Sequence, residues 1–301
     1  MTNSKNKISK IIKILAAVLC IAVFAVTLYL TANPIVWKRF LGSLKPQFDT
    51  TRDFVKFMDV GQGDSALIYS NGYSAVIDLG LPNAAMDICY DLADCDIETI
   101  DAVLVSHLHS DHIGSLQKVA ETFKIKNLIM PEILKTSIAA AQNGKNFVTS
   151  NGSAFYNARQ GINFNIGEFE ITILGCFDDK KNENNRSIFA VAQIDGMKFM
   201  FTGDAEEKAE KQLLSENLNL DCDVLKVSHH GSNTATSKAF LKALSPRYAV
   251  VSVDEDNTYS HPHKETICSL ENSQVKVFRT DIDGDVTFNV EDGKISVATE
   301  Y

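Results

Sequence analysis

The chain has 301 residues, of which 45% are apolar and 22% charged, close to a globular average, so a disordered chain, a collagen-like chain and a polytopic transporter are excluded. It carries 29 basic and 38 acidic residues and a formal charge of −9. Residues 1–32 hold four lysines (Lys5, Lys7, Lys10, Lys13) and no acid, so the rest, with 25 basic and 38 acidic residues, carries −13 and has no electrostatic reason to grip nucleic acid by phosphate contacts alone.

Residues 14–32 (ILAAVLCIAVFAVTLYLTA) form an uncharged run with almost no polar positions. As a helix this run spans roughly 30 Å, the thickness of a bilayer core. The preceding basic segment, residues 1–13, favours a cytoplasmic N-terminus, and Lys38, Arg39 and Lys45 weaken that bias without reversing it. A cleaved signal peptide is the rival reading. Leu30 stands where a small residue is wanted for cleavage after Ala32, so an uncleaved signal anchor is favoured. Either way the body lies outside the membrane: single-pass with an extracellular domain if anchored, secreted if cleaved. Residues 33–52, with Pro34 and Pro46, read as a linker, and 53–301 as the globular domain.

Beyond the linker, strands and helices mix. Strands are predicted over 53–60 and 66–69, flanking the turn Gly61-Gln62-Gly63, and over 73–78 after an Asn71-Gly72 hairpin. A helix covers 87–92, a buried strand 101–106, and an amphipathic helix 113–123. Residues 131–165 have no clear period. Strands follow at 168–174, 187–195 and 197–202, then a helix at 205–216, a strand at 224–228 and a helix at 237–244. The pattern closes with a strand at 248–253, a helix at 265–271, and strands at 275–279, 286–290 and 294–298. Helices alternate with strands, yet hairpins recur in both halves. The expected fold is therefore α/β with two mixed sheets face to face and helices outside. The six cysteines (Cys20, Cys89, Cys95, Cys176, Cys222, Cys268) show no CxxC and no dense framework, and read as ordinary thiols.

All seven histidines fall in three clusters: His107/His109/His112, His229/His230 and His261/His263. The first is an HxHxDH pattern after a strand. Alternate residues of an extended segment point the same way, so His107 and His109 can share one metal. Asp111 and His112 follow a turn and can face a second one about 3.5–4 Å away. Thr202-Gly203-Asp204 ends another strand in a carboxylate able to bridge two ions, and Ser228-His229-His230-Gly231 ends a third in two histidines. Imidazole with carboxylate suits zinc, manganese or iron. The implied reaction class is metal-assisted hydrolysis, and no dinucleotide cofactor is expected.

The order HxHxDH, TGD, HH resembles the metallo-β-lactamase superfamily. Within it the pattern is more like the extracellular hydrolase domain of the ComEC competence proteins. The resemblance rests on Phe57 to Ser65 (FMDVGQGDS), Val76 to Gly80, Ser106 to His112, Asn184 to Ser187 (NNRS), Phe201 to Asp204, Leu225 to Ser232 and Ser260-His261-Pro262. It runs over nearly all of the body. The many membrane-spanning helices of full competence channels do not appear in this sequence, where one apolar stretch stands. The resemblance implies an αββα sandwich and two divalent ions, zinc or manganese. It places His107 and His109 at site one, Asp111 and His112 at site two, and Asp204 between. One of His229 and His230 should ligate site two; His229 is preferred for its place straight after the strand, which would leave His230 to support it or to contact substrate. Many superfamily members add another histidine to site one between the first motif and the TGD, whereas here none lies between 112 and 204. Asp59, Gln62 and Asp64 would lie beside the metals, although a plain β-turn is the alternative for Asp64. Asp78 would orient the first motif, and Asn185 and Ser187 would support the site from the NNRS segment. Asp111 would orient the nucleophile, and His230 or His261 would stabilise charge or protonate a leaving group. His263 reads as surface, and Asp281 to Asp285 as a turn that fails calcium-loop spacing.

The resemblance implies a surface phosphodiesterase with DNA as substrate, a role in DNA uptake and competence, and degradation of the strand not taken up. The −13 body counts against tight DNA binding. The alternatives are an esterase for a choline-phosphate ester or lactone, and a tethered interaction module without catalysis.

Overall fold

In the computed structural model, which describes residues 2–33, 35–36, 50–134 and 139–301, the chain divides into the units Met1–Phe48 and Asp49–Tyr301. The first holds helix α1 (Thr2–Ala32), within which Ile12–Thr31 is long and apolar enough to cross a membrane. Two threonines in that stretch bond within the helix: Thr27 Oγ1 donates to Val23 O at 2.9 Å and Thr31 Oγ1 to Leu28 O at 3.0 Å. The predicted linker lies mostly outside the described residues.

The second unit is built on two sheets. The first has strands β1 (Asp53–Phe57), β2 (Ala66–Ser70), β3 (Tyr73–Ile77), β4 (Thr99–Leu104), β5 (Lys124–Met130), β6 (Ala154–Asn157), β14 (Val286–Glu291) and β15 (Lys294–Thr299). Their order is β15-β14-β1-β2-β3-β4-β5-β6. The second runs β13 (Lys276–Arg279), β12 (Tyr248–Val251), β11 (Val224–Lys226), β10 (Met197–Phe201), β9 (Ile188–Ile194), β8 (Phe169–Cys176), β7 (Asn163–Ile166). Each is mixed. Pairing is parallel from β3 to β6 and from β10 to β13, and antiparallel in the rest.

Alternation explains the packing. Val55, Phe57, Ile68 and Ile77 of one sheet and Phe199, Phe201, Ile171 and Ala190 of the other share the core between the sheets. The opposite residues of the second sheet, Met200, Leu225 and Val251, pack under helices α6 (Glu207–Ser215), α7 (Lys238–Leu244) and α8 (Lys264–Asn272) through Leu213, Phe240 and Leu270. On the first sheet, α4 (Leu116–Thr122) and α5 (Ala139–Ser150) lie on β5 and α2 (Ala85–Asp94) on α4. The arrangement is the α/β sandwich expected, with helices outside.

Details differ in two places. The predicted helix 113–123 is two, α3 (Ser110–Ile113) and α4, broken at Gly114 and Ser115. A Cβ at Gly114 would stand 2.5 Å from Pro82, so the chain passes there only without a side chain. The stretch without a period contains α5, β6 and the start of β7, and Lys124–Met130, to which no element was assigned, is a strand inside the sheet. All six cysteines stand free.

Candidate metal centre

The residues of the HxHxDH, TGD and HH motifs, with Asp78, sit just past the carboxyl ends of strands in the parallel halves, where α/β folds place their sites. Asp78 follows β3, the HxHxDH segment follows β4, Asp204 follows β10, and the histidine pair follows β11. The loops are zipped by backbone bonds: Asp64 N donates to Asp111 O at 3.1 Å, Gly80 N to Asp64 O at 2.8 Å and Leu79 N to His112 O at 2.7 Å. Gly63 belongs to this zip, since a Cβ on it would lie 2.7 Å from Asp111 O. Gly203 turns with φ +49°, and a Cβ there would meet Ser106 Oγ at 2.7 Å and Ser187 Oγ at 2.9 Å.

Asp204 is at the centre, buried, and its two oxygens face different groups. Oδ1 lies 3.2 Å from His112 Nε2 and 3.6 Å from His230 Nε2. Asp111 Oδ2 closes this side, 3.4 Å from His230 Nε2 and 4.0 Å from His112 Nε2. Oδ2 lies 3.9 Å from His107 Nε2 and 3.8 Å from His229 Nε2. His109 Nδ1 approaches His107 Nε2 to 3.0 Å. These two histidines lie beyond the end of β4, so the loop rather than strand alternation brings them together.

The four groups Asp111, His112, Asp204 and His230 put one ligand atom each within 4.8 Å of one another. Asp204 Oδ1, His112 Nε2 and His230 Nε2 are all buried and none makes a hydrogen bond. A buried polar atom left so costs about 1–3 kcal/mol, and a cation at the point they share satisfies all three. The donor set fits a divalent ion of the zinc or manganese kind. The backing fits as well. His112 Nδ1 donates to Asp78 Oδ2 at 2.9 Å and His230 Nδ1 to Ser252 O at 2.9 Å, which turns both Nε2 atoms inward as ligands.

The preference for His229 over His230 at site two is not what the geometry brings together. His229 and His230 both adopt the left-handed conformation, φ 50° each, and the bent chain drives His230 into the interior. His229 is left half-buried on the Oδ2 side. Its Nδ1 lies 3.3 Å from Thr234 Oγ1 and 3.6 Å from Glu206 Oε1, and its Nε2 lies 3.4 Å from Asn184 Nδ2.

The support residues divide. Asp78 accepts from Ser106 N and Ser106 Oγ, both at 2.6 Å, besides holding His112. Asp64 is buried rather than a solvated turn: Oδ1 meets Lys226 Nζ at 2.8 Å and His230 Nδ1 at 3.3 Å, and Oδ2 lies 3.9 Å from His112 Nδ1. Ser187 Oγ accepts from Asp204 N at 3.0 Å. Asn185 bonds Asp179 and the Glu206 amide, while its neighbour Asn184 lines the cleft over the centre. Gln62 lines that cleft too, and its Oε1 accepts from Asp254 N at 3.4 Å. Asp59 works within its own loop: Oδ1 accepts from Gly61 N, and its amide donates to Asp285. His261 lines the cleft, with Nδ1 buried and unbonded, whereas His263 Nδ1 accepts from Asn233 N at 3.0 Å. The cleft is about 350 Å³ and is also lined by His109, Asp111, Asp204, His229, His230 and Tyr259, with no lysine or arginine in its lining among the described residues.

Without an ion, protons answer the carboxylates. Burial works against charge on Asp204, but His112 and then His230 hold its carboxyl well below the usual range. Burial is likewise outweighed at Asp64 by Lys226 and then His230, which pull it down. Asp111 falls to about 2, because the approach of His230 Nε2 to 3.4 Å, and then His112, outweigh burial. In return His230 is pushed up to about 10 against burial, by Asp204 and Asp64, and His112 is raised by Asp204 and Asp78. His107 is pushed down by burial and by His112, and His261 falls to about 4 through burial and His229. The centre calls for positive charge on the Oδ1 side and keeps His107 and His261 neutral.

Ser106, Asn184 and Lys226 fall inside motif segments that gave them no role of their own, and Ser252 lies outside those segments. Lys226 had a signal, as a charged residue inside the apolar strand run VLKV.

A family model described as the metallo-beta-lactamase superfamily matches residues 58–254. The chain is 29% identical over 210 residues to ComE operon protein 3 of Bacillus subtilis (strain 168), covering 68% of this chain and 27% of that protein. It is 31% identical over 245 residues to the competence protein ComA of Neisseria gonorrhoeae, covering 80% of this chain and 33% of that one. The chain thus spans a third or less of the length of these two relatives. In fold it is similar to the metallo-beta-lactamase fold protein YhfI from Bacillus subtilis, with a TM-score of 0.52 at 13% identity, over 82% of this chain and all of that one.

Proposed function

This chain belongs to the metallo-beta-lactamase superfamily, and on that premise we propose that it is a membrane-anchored, extracytoplasmic phosphodiesterase that cuts DNA with two divalent metal ions. One observation carries the reading: Asp204 turns one oxygen to the unbonded, buried Nε2 atoms of His112 and His230 and the other towards His107 and His229. Asp111, His112 and His230 would hold one ion with Oδ1, and His107 and His109 the other with Oδ2, with His229 flanking. Manganese or zinc suits these donors. Bound there, the ions lower the pKa of water and polarise a phosphoryl oxygen.

The chain's own side chains supply the rest. Asp111, at the rim of the quartet, orients the attacking water. Asp78 and Ser252 fix the tautomers of His112 and His230. His261, neutral at pH 7, offers the buried Nδ1 in the cleft to a substrate oxygen or a leaving group. DNA as substrate, and a part in competence, are supported by the competence-protein relatives. The four lysines in the first half of α1 (Lys5, Lys7, Lys10, Lys13) support a cytoplasmic N-terminus, which would leave the hydrolase unit outside.

A second reading, a small phosphoester or lactone as substrate, is favoured by the −13 charge of the body and by the lack of lysine and arginine in the cleft lining among the described residues. The test is cleavage of labelled single- and double-stranded DNA by the full chain in detergent, loaded with manganese or zinc. Metal-dependent cleavage abolished by Asp111→Ala is expected. No cleavage with about two ions bound per chain would end the nuclease reading and direct the search to small esters.

A further inference from the structure

Tyr259 lines the metal cleft together with the buried His230 and the half-buried His261, and yet stays exposed itself. It is 63% exposed. A single exposed aromatic ring needs no explanation by itself. This one is mounted. Its ring lies over His261 with centroids 5.7 Å apart and planes 23° from parallel. His261 in turn lies over His230, at 6.3 Å and 27°. Three near-parallel rings therefore step from solvent down to the buried quartet.

The loop that carries the step is held by one side chain. Asn257 Oδ1 accepts from the amides of Tyr259 at 3.2 Å and His261 at 2.9 Å. Asn257 Nδ2 donates to Asp254 O and His261 O, both at 2.7 Å. The backbone that carries Tyr259 is thus fixed by the loop itself. One face of the ring is spent on His261, and its exposure leaves ring surface for a ligand. Among the described residues no lysine or arginine lines the cleft to grip an anion, and the body carries −13. Beyond the phosphoryl oxygen that the ions would take, the rest of a bound nucleotide needs affinity from something other than paired charge. A planar group stacked on an aromatic ring supplies it, in any sequence, because every base has a π-face.

We infer that Tyr259 is the stacking platform for a nucleobase next to the scissile phosphodiester, so that the site takes an unstacked nucleotide in preference to continuous duplex. The inference rests on the phosphodiesterase reading. The base could belong to a single strand or to a small nucleotide ester, and both present the same ring and phosphate.

The experiment uses the full chain, loaded with manganese. Cleavage is followed on a single-stranded oligonucleotide, its duplex, a dinucleotide, and a strand whose nucleosides are all abasic. Faster cleavage of the single strand than of the duplex is expected. Tyr259→Ala should raise KM for base-bearing substrates by about 5- to 150-fold, the range for one stacked base. Its kcat should stay within about 2-fold, because a base remote from the reacting atoms gives uniform binding. Tyr259→Phe should match the wild type. On the abasic strand wild type and Tyr259→Ala should be equal. A Tyr259 effect confined to the oligonucleotide identifies a strand as the source of the base, and one confined to the dinucleotide a small ester. Unchanged KM in Tyr259→Ala, or an equal loss on the abasic strand, overturns the inference. Absence of cleavage on every phosphodiester overturns the phosphodiesterase reading itself.

Discussion

The two sides of Asp204 are built to different tolerances. On the Oδ1 side, His112 and His230 are buried, each is pinned at Nδ1, and Asp64 with Lys226 stands behind them. On the Oδ2 side, His109 and His229 are only partly buried, and the polar groups near His229 (Asn184, Thr234, Glu206) come from the cleft wall. The difference teaches where a binuclear centre keeps its structural ion and where it exchanges: the pinned side should bind tightly, and the open side weakly and with access to substrate.

The change expected to cost most erases both sides together. Asp204→Asn should remove both ions and lower hydrolysis by more than about 10³-fold, beyond the 10- to 100-fold typical of groups standing behind ligands. Metal content and rate measured on one preparation check it. Separating the sides comes next. His230→Ala should lose at least about 100-fold in rate and His229→Ala about 10-fold, so equal losses would dissolve the contrast.

Lys226→Met sharpens it from beneath. The substitution leaves Asp64 as a buried, unpaired charge, a defect of about 3–5 kcal/mol. It should lower the Tm and weaken the Oδ1-side ion by about 10- to 100-fold, with little change at the other. The mildest test is pH. His230 stands at about 10 in the metal-free protein, against about 6.5 for an unfolded histidine. A raised pKa contributes stability that is complete below the unfolded value and is lost as pH climbs through the folded one. The Tm of the metal-free protein should therefore fall between pH 6.5 and 10. In the loaded protein the ion replaces that proton, and the fall should be smaller. Parallel curves for the two forms would contradict the assignment of His230.

Much of this was legible in the sequence because the residues that matter follow strands. Alternating apolar runs with recurrent hairpins yield two mixed sheets, and His107 to His112, Asp204 and the histidine pair stand where the runs stop. The stretch Lys124–Met130 escaped because its first half alternates with lysine and asparagine and its last three residues are uniformly buried. The choice between His229 and His230 was not legible, since adjacent residues differ only in direction and two left-handed backbone conformations set that direction. Asn184 against Asn185 is the same problem. Lys226 was legible in principle: a lysine inside a buried strand needs a buried partner, and Asp64 is that partner.

The central claim is a bridged pair of ions with a tight side and an open side. Titrating the metal-free full chain with manganese by calorimetry tests it most directly, with His230→Ala and His229→Ala alongside. The account predicts two ions per chain in two resolved steps, the tight step lost in His230→Ala and kept in His229→Ala. A single ion per chain, or a tight step that survives His230→Ala and disappears in His229→Ala, would contradict it.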